Sequence, residues 1–358
     1  MHRLYIGTYT VGGSSSEGIY TCSFDDETGA ISTPVLAAEA INPSFLAIHA
    51  SGKFLYAVNE VSEGEGRANG GVSAYRIQED GMLTLINQQP SLGGAPCHCN
   101  IDGTGKFLLI ANYVGGNIVV YPIGDDGALG PASCNVQHEG SSVDKSRQEA
   151  AHAHSINLSA DNRFAYAADL GTDRIQIYRF DESSGILEAA SPSSVSVEPG
   201  GGPRHFSIHP NGKFAYSNNE LTCMVSVFHR DQEHGGLTRI QDLSTLPKDT
   251  EASVRRSTAE CLVHPTGKFA YVSNRGHDSI AVYTVNSDDG TLTLVDVVST
   301  GGQEPRNFVI SPNGLFLLAE NQNSDTVITF EINQTTGNLK STDHMVEVGR
   351  PVCIRFLP

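Results

Sequence analysis

Histidine, arginine and glutamate residues stand at matching places of a segment that recurs along the chain. His154 and Arg204 hold the same position near the start of two copies, and Glu220 and Arg275 share a position at the end of two copies. Imidazole and carboxylate groups transfer protons, and guanidinium groups bind anions. Because other copies carry different residues at both positions, which a purely structural repeat would not require, the four residues predict a functional pocket. The alternative is a set of ion pairs, Glu220 with Arg204 or Arg275, lining a water-filled channel.

The recurring segment predicts two antiparallel strands joined by a tight turn. In PRHFSIHPNGKFAYSNNE, for example, two stretches of alternating apolar residues flank a turn rich in Gly, Asn and Pro. A third strand such as SIAVYTV follows each copy, and a glycine turn precedes a fourth strand. Six complete copies begin at Pro43, Pro96, Ala153, Pro203, Thr258 and Pro305. Seven glycine turns occur, at Gly29, Gly81, Gly127, Gly185, Gly236, Gly290 and Gly337.

The two termini together supply the missing seventh copy. The C-terminal PVCIRFLP matches the first strand of a copy, and the N-terminal RLYIGTYT and GIYTCSF match the second and third. The sequence therefore predicts an all-β, seven-bladed β-propeller with four antiparallel strands per blade, whose N- and C-terminal strands share one blade and close the ring. Since no linker interrupts the copies, we expect residues 1–358 to form a single domain.

A propeller brings the start of each innermost strand and the end of each second strand to one mouth of the central channel. Beside the four residues above, these positions hold Glu60, His98, His205 and Arg306, which we expect to bind substrate there. His152 is a further candidate, because strict alternation along the strand would give it the same face as His154. The Asn or Asp that precedes Glu220 and Arg275 recurs in nearly every copy, which predicts a structural hydrogen bond to backbone.

The charge balance restricts the partners of the protein. A formal net charge of −17 argues against binding to nucleic acid or to anionic membranes. We expect a monomer or weak homo-oligomer that acts on a small anionic molecule, which needs a local group of cations. Three long loops predicted on the mouth side carry such cations, namely Arg67 in 61–71, Lys145 and Arg147 in 131–151, and Lys248, Arg255 and Arg256 in 247–258.

Cysteine usage and the N-terminus bear on location and metal binding. The seven cysteines contain no CxxC pair, which is typical of free thiols in a reducing compartment. MHRLYIGTYT has no long apolar segment, so we expect a cytoplasmic protein. Alternation would give Cys97 and Cys99 one common face around His98. No second pair completes a zinc site, so we predict neither a metal nor another cofactor.

The chain resembles the seven-bladed propeller lactonase family, which includes propeller-type 6-phosphogluconolactonases and carboxy-cis,cis-muconate cyclases. The resemblance covers the whole length, and AHAHSI, GGGPRHFSIHPNGKFAY, NNE and VSNRGHDSIAVY carry it, in this order. It implies a catalytic set of one His, two Arg and one Glu at the channel mouth. Matched motif by motif, these are His154, Arg204, Arg275 and Glu220.

The resemblance implies hydrolysis of a sugar lactone, with 6-phospho-D-glucono-1,5-lactone, an intermediate of the pentose phosphate pathway, as the leading substrate. Either Glu220 or His154 would then activate water, and Arg204 and Arg275 would hold the oxyanion or the anionic group of the substrate. The sequence contains no GxSxG motif, so it does not predict a serine nucleophile or an acyl-enzyme intermediate. Three alternatives stay open: cycloisomerisation of a muconolactone, a non-catalytic binding platform, and a metal-dependent lactonase with Glu60, His98 and Glu220 as ligands.

Overall fold

The computed structural model describes residues 1–62, 70–250 and 256–358, whose regular structure consists of strands. In chain order the strands are β1 His2–Thr8, β2 Gly18–Phe24, β3 Val35–Glu39, β4 Leu46–Ile48, β5 Phe54–Asn59, β6 Gly71–Ile77, β7 Leu83–Pro90, β8 Pro96–Ile101, β9 Phe107–Asn112, β10 Asn117–Pro122, β11 Cys134–Gln137, β12 Ala153–Leu158, β13 Phe164–Asp169, β14 Arg174–Asp181, β15 Ile186–Ser196, β16 Pro203–Ile208, β17 Phe214–Asn219, β18 Met224–Arg230, β19 Leu237–Ser244, β20 Ser257–Val263, β21 Phe269–Arg275, β22 Ser279–Val285, β23 Leu292–Ser299, β24 Pro305–Ile310, β25 Phe316–Asn321, β26 Thr326–Ile332, β27 Leu339–Glu347 and β28 Pro351–Phe356. No helix in this part of the chain is long and apolar enough to cross a membrane.

The strands form seven four-stranded antiparallel sheets, which are the seven predicted blades. Six sheets use four consecutive strands, from β4–β7 to β24–β27, and the seventh has the order β28-β1-β2-β3. In that blade the last strand pairs with the first, with Ile6 opposite Ile354. The predicted propeller, with its ring closed by the two termini in one blade, is therefore confirmed.

Buried aromatic residues and turn glycines join each blade to its neighbour. Tyr216 of β17 donates a 3.0 Å hydrogen bond from its hydroxyl to the carbonyl of Gly290 in the next blade. Gly290 has a φ of 76°, and a Cβ there would lie 2.3 Å from Cγ of Phe214. The residue must therefore be glycine for two reasons, its left-handed backbone and its close approach to the aromatic ring.

The same interblade bond locates one turn glycine differently from the sequence prediction. Tyr166 donates to the carbonyl of Gly235, and it is Gly235, with a φ of 79°, that occupies the turn position. The prediction of Gly236 was wrong by one residue, because at the other turns the glycine stands two residues before a Leu or Ile, and here Gly235 holds that place before Leu237. The six other predicted turn glycines all have a positive φ: Gly29, Gly81, Gly127, Gly185, Gly290 and Gly337.

The recurrent asparagine at the end of the second strand fastens the loop that enters its blade. Its side-chain amide donates to backbone carbonyls, from Asn59 to Ile41, from Asn112 to Ser91 and from Asn274 to Thr245. The predicted structural hydrogen bond to backbone is present at these three positions.

Six of the innermost strands depart from regular pairing at the channel mouth. In β12 the register shifts between Ala153 and Ser155, so His154 is an extra residue outside the ladder. Comparable shifts set apart Cys97 in β8, Arg204 and His205 in β16, Ala259 and Glu260 in β20, Arg306 in β24 and Val352 in β28. A bulge of this kind changes the direction of the side chain it contains. The bulges therefore lie where the sequence predicts the functional pocket.

Candidate active site

A cavity of about 800 Å³ opens at the mouth formed by the starts of the innermost strands. His154, Glu220 and Arg275 line this upper cavity, together with Glu60 and Arg306. Its wall is completed by Cys97, Tyr113, Asp144, Ser146, Arg147, Leu221, Arg256, Ser257, Glu304 and Asn323. A volume of this size accommodates a sugar phosphate.

Three guanidinium groups surround the carboxylate of Glu220. Glu220 Oε2 lies 3.0 Å from Arg204 Nε and 2.9 Å from Arg275 Nη2. Glu220 Oε1 accepts a 2.6 Å hydrogen bond from Arg147 Nη2. The structure thus brings Arg204, Glu220 and Arg275 into direct contact and adds Arg147, whose participation the repeat pattern did not reveal.

The electrostatics of this group keep Glu220 ionised. Burial opposes its charge, but the positive charges of Arg275, Arg204 and Arg147 prevail and lower the pKa of Glu220 to about 2. Burial, together with the neighbouring Arg275 and Arg306, lowers the pKa of Arg204 to about 10, so its guanidinium still carries a charge at neutral pH. Three cations and one anion leave a local positive surplus inside an acidic protein.

His154 lies at the floor of the upper cavity as an uncharged imidazole. Burial, with the positive charges of Arg204 and Arg306 and contact with His205, holds the pKa of His154 well below its usual 6.5. Its Nδ1 contacts Cys97 Sγ at 3.7 Å, and within the described residues no hydrogen bond from the protein reaches Nε2. A neutral imidazole with a free ring nitrogen can accept a proton.

A second group of polar residues faces Glu220 from the other side of the mouth. Tyr9 Oη and Ser44 Oγ donate to Glu60 Oε2 at 2.8 and 2.5 Å. The guanidinium of Arg306 packs over the ring of Tyr9, 5.2 Å from its centroid. Arg306 Nη2 is 3.9 Å from Glu60 Oε1, which is too long for a hydrogen bond. Glu60 and Arg306 therefore lie where the sequence predicts them, at the mouth.

One residue further along five of the seven innermost strands, side chains narrow the channel. Phe45 packs on His98 with ring centroids 4.2 Å apart, and His98 on His205 at 5.3 Å. His205 Nδ1 is hydrogen-bonded to Glu260 Oε1 at 2.7 Å, and Glu260 Oε2 accepts from Asn307 at 2.8 Å. We call these five residues the plug. Beneath it lies a lower cavity of about 560 Å³.

The plug changes the positions expected for two histidines. His98 lines the lower cavity and not the upper one, so its predicted place at the substrate mouth is wrong. His205 lies in the narrow neck between the cavities, with its Nδ1 bonded to Glu260. Each stands one residue deeper in the channel than His154 or Arg204.

His152 does not line the upper cavity. Its ring stacks on Tyr113 with centroids 4.6 Å apart, and Nδ1 bonds to the Tyr113 carbonyl at 2.9 Å. Its Nε2 lies 3.2 Å from Glu149. His154 also contacts Tyr113, with ring centroids 5.4 Å apart, but of the two histidines only His154 lines the upper cavity.

The cations of the rim loops have different positions. Arg147 and Arg256 line the upper cavity, whereas Lys145 donates to the carbonyl of Ser142 and Lys248 is exposed. The predictions for Arg67 and Arg255 fall outside the described residues. Loop length alone indicated this face, and no pattern in the sequence distinguished Arg147 from its neighbours.

The bulge at Cys97 also separates the two thiols flanking His98. Cys97 Sγ contacts the carbonyls of Ala153 and His154 in the next blade, and Cys99 Sγ contacts that of Phe45 in the preceding one. The predicted common face for the thiols was therefore wrong, and all seven cysteines are free.

The three residues of the alternative metal site are also separated, because Glu60 and Glu220 line the upper cavity and His98 lines the lower one. In the described part of the chain no group of three or more His, Cys, Asp or Glu could hold a metal.

Comparisons with known proteins agree with this architecture. The family model described as "Lactonase, 7-bladed beta-propeller" matches residues 3–356. The 6-phosphogluconolactonase of Bacillus subtilis is 38% identical over 99% of this chain and 97% of its own length. A protein of the same name from Formosa agariphila is 33% identical over 86% of each chain. The solved structure of the Pseudomonas aeruginosa periplasmic gluconolactonase matches with a TM-score of 0.92 at 33% identity, covering 100% of this chain and 99% of that one.

Proposed function

This chain belongs to the lactonase family of seven-bladed β-propellers and is a lactone hydrolase, and we propose that its substrate is 6-phospho-D-glucono-1,5-lactone. The product would be 6-phosphogluconate, which gives the enzyme a role in the pentose phosphate pathway. The observation that supports this substrate most strongly is the set of three guanidinium groups around Glu220, which carry more positive charge than this one carboxylate neutralises.

The guanidinium donors of the upper cavity favour a phosphorylated sugar over a neutral one. Arg147, Arg275 and Arg306 reach its surface in a protein whose net charge is −17. Guanidinium groups bind phosphate and carboxylate oxygens with paired N–H donors. A local positive field of this kind also attracts an anionic substrate that the rest of the surface repels. Two relatives bear the name 6-phosphogluconolactonase, in agreement with this preference.

His154 is the residue that we propose as the general base. Its neutral imidazole would take a proton from water as the water oxygen bonds to the lactone carbonyl carbon. The resulting tetrahedral intermediate then breaks the bond between this carbon and the ring oxygen, and the imidazolium returns the proton to that oxygen. The product is an open-chain hydroxy acid, whose carboxyl group ionises in solvent.

Glu220 suits a positioning role better than that of a base. With a pKa of about 2 it is a very weak proton acceptor. Both of its oxygens are occupied by guanidinium groups, from Arg147 on one side and from Arg204 and Arg275 on the other. In this proposal Glu220 fixes the three cations in place and lowers the cost of keeping them together in a partly buried site.

A direct assay of the purified protein tests the substrate. We expect hydrolysis of 6-phospho-D-glucono-1,5-lactone, measured as 6-phosphogluconate formed above the spontaneous rate. D-glucono-1,5-lactone should be hydrolysed with at least about 10-fold lower kcat/KM, since one charge-assisted contact contributes roughly 1.5–3 kcal/mol. Turnover of a carboxymuconolactone without hydrolysis of either sugar lactone would overturn the proposal, and equal rates on the two sugar lactones would overturn its phosphate preference.

A matched pair of variants links that activity to the upper cavity. His154→Gln should lower kcat by roughly 10²–10⁴, the usual contribution of a general base. His209→Gln alters a histidine bonded to the Gly267 carbonyl on a turn outside the upper cavity, and its kcat should stay within about 3-fold of wild type. Full activity of His154→Gln would exclude His154 as the base.

A further inference from the structure

We propose that Arg306 polarises the lactone carbonyl and binds the oxyanion of the tetrahedral intermediate, an inference that rests on the proposed lactone hydrolysis. The family resemblance gives this role to Arg204 and Arg275. The contacts of Arg147, Arg204, Arg275 and Arg306 indicate a different assignment of roles.

Arg204 and Arg275 are already engaged by the protein. Arg204 Nε faces Glu220, and its Nη1 donates to the carbonyl of Ala259 at 2.5 Å. Arg275 Nη2 faces Glu220 and donates to the carbonyl of Thr258 at 2.9 Å. Their side chains are only 3% and 9% exposed. Both groups are thus fixed in the wall of the site, with their charge shared with Glu220.

Arg306 has no comparable engagement. In residues 1–62, 70–250 and 256–358 no hydrogen bond joins its guanidinium to a protein acceptor, and its closest carboxylate oxygen is Glu60 Oε1 at 3.9 Å. Its side chain is 20% exposed and lines the upper cavity. Its N–H donors are therefore available to a substrate oxygen.

Arg306 lies at the depth where the reaction would take place. It is the bulge residue of β24, as His154 is the bulge residue of β12, so the two occupy the same position in different blades. Both line the upper cavity, and the positive charge of Arg306 contributes to the lowered pKa of His154. A carbonyl carbon beside His154 would place its oxygen within the same layer of the channel as Arg306.

Its neighbours hold this guanidinium in a defined orientation without occupying its donors. The Tyr9 ring supports one face of the group, 5.2 Å from Cζ, in cation–π geometry. Tyr9 is itself fixed through its hydroxyl to Glu60, which also accepts from Ser44. Donors held in place before the reaction stabilise a developing negative charge most effectively, because they need not reorganise when that charge appears.

The chemical role follows from the proposed mechanism. As water adds to the carbonyl carbon and His154 takes its proton, the carbonyl π electrons move onto the oxygen, which becomes an alkoxide. Two N–H groups of Arg306 would bind that alkoxide until the electrons return and the ring C–O bond breaks. The interaction is stronger in the transition state than with bound substrate, so its loss lowers kcat more than it raises KM.

Steady-state kinetics of Arg306→Gln and Arg306→Lys, on both sugar lactones, test this role. We expect Arg306→Gln to lower kcat by roughly 10²–10³ with KM within about 3-fold of wild type. The kcat of Arg306→Lys should lie between those of the wild type and of Arg306→Gln, because a lysine keeps the charge but not the paired donors. The control is Arg239→Gln, which removes one cation from an outer strand, paired with Glu198 and Asp242, and should leave kcat unchanged.

Several outcomes would overturn the assignment. If Arg306→Gln keeps kcat within about 3-fold and raises only KM, Arg306 binds substrate and not the oxyanion. A loss confined to the phosphorylated lactone would identify it as a phosphate contact. If Arg306→Gln has a lowered melting temperature, the charge-retaining Arg306→Lys decides, and wild-type kcat in that variant rejects the role of the paired donors. Absence of lactone hydrolysis by the wild type would instead reject the proposed function, and this inference with it.

Discussion

Glu220 and Arg147 meet through a 2.6 Å contact between Oε1 and Nη2, although 73 residues of sequence separate them. Glu220 directly follows the second strand of its blade, whereas Arg147 comes from the long loop between β11 and β12. Arg147 Nη2 also donates to the Tyr113 hydroxyl at 3.2 Å. The contact thus fastens a loop from one side of the ring to a buried carboxylate on another, and the upper cavity takes its shape from both.

Removal of the Glu220 charge should destabilise the fold. Glu220→Gln leaves the buried guanidinium groups of Arg204 and Arg275 without a counter-charge, which costs about 3–5 kcal/mol. Urea denaturation at neutral pH measures this loss. The control Glu198→Gln removes an exposed carboxylate that pairs with Arg239, and it should change stability by less than about 0.5 kcal/mol. Equal stabilities of the two variants would contradict the buried ion-pair account.

The same carboxylate predicts a defined acid dependence of stability. The folded-state pKa of Glu220, about 2, lies below the ordinary 4.5 of a glutamate. Its ionisation therefore stabilises the folded state fully above pH 4.5 and ceases to do so as the pH falls through 2, a contribution of about 3 kcal/mol. We expect the unfolding free energy to decrease over this range more steeply in wild type than in Glu220→Gln. If the unfolding free energies of the two proteins change in parallel with pH, the pKa of Glu220 is not lowered in the folded state.

The protonation state of His154 should appear in the pH–rate profile. Because burial and the nearby Arg204 and Arg306 hold its pKa well below 6.5, the neutral imidazole persists into weakly acidic solution. We expect the decrease of kcat/KM for the lactone on the acid side to be centred below pH 6.5, the ordinary value of a histidine. In Arg306→Gln, where one of these cations is absent, the decrease should begin at higher pH. A wild-type decrease centred at pH 6.5 or above would contradict a buried neutral base.

The turn glycines allow two costs of adding a side chain to be measured separately, namely backbone strain at a positive φ and a steric clash between blades. Gly290→Ala places a methyl group against Phe214 at a φ of 76°. Gly13→Ala meets a similar φ of 82°, but nothing lies within 4 Å of its Cβ. We expect Gly13→Ala to cost about 1 kcal/mol from the left-handed backbone and Gly290→Ala roughly 2 kcal/mol more from the clash between blades. Denaturation curves test this, and equal costs would show that interblade contact with Phe214 is not a constraint.

A buried acid away from the upper cavity should be replaceable with a gain in stability. Glu320 is fully buried, and within the described residues neither of its side-chain oxygens has a partner at hydrogen-bond geometry. Burial raises its pKa well above 4.5, against the attraction of Arg355 and with repulsion from Glu260. Folding must therefore keep this group protonated, at a cost that grows as the pH rises above 4.5. Glu320→Met should raise the melting temperature, more at about pH 8 than at about pH 5, whereas Glu331→Gln at an exposed position should not. A pH-independent difference would contradict the raised pKa.

The sequence predicted the closed ring because closure by the two termini changes the number of complete segments that can be counted. Seven glycine turns against six complete segments required the termini to share a blade, and the pairing of Ile6 with Ile354 confirms it. The repeat pattern also located the channel mouth. Glu220 contacts Arg204 and Arg275 there, and Glu60 and Arg306 line the same cavity.

One of the errors has its physical origin in strand geometry. Alternation along a strand assumes a regular ladder, and the bulges at Cys97 and His154 interrupt it. For that reason the common face of Cys97 with Cys99 was predicted wrongly. The position of Arg147 was out of reach for a different reason, because the repeat carries no information about a loop that occurs once.

The bulges have a consequence for how such an enzyme can diversify. A residue outside the ladder hydrogen bonds can change its chemical identity without disturbing the pairing that holds its blade, as Cys97, His154 and Arg306 do in three blades of one chain. Six of the seven blades thus offer a position at the channel mouth whose side chain is decoupled from the folding requirement. A new specificity can arise there by substitutions made one blade at a time, on a scaffold that keeps the ring intact at every step.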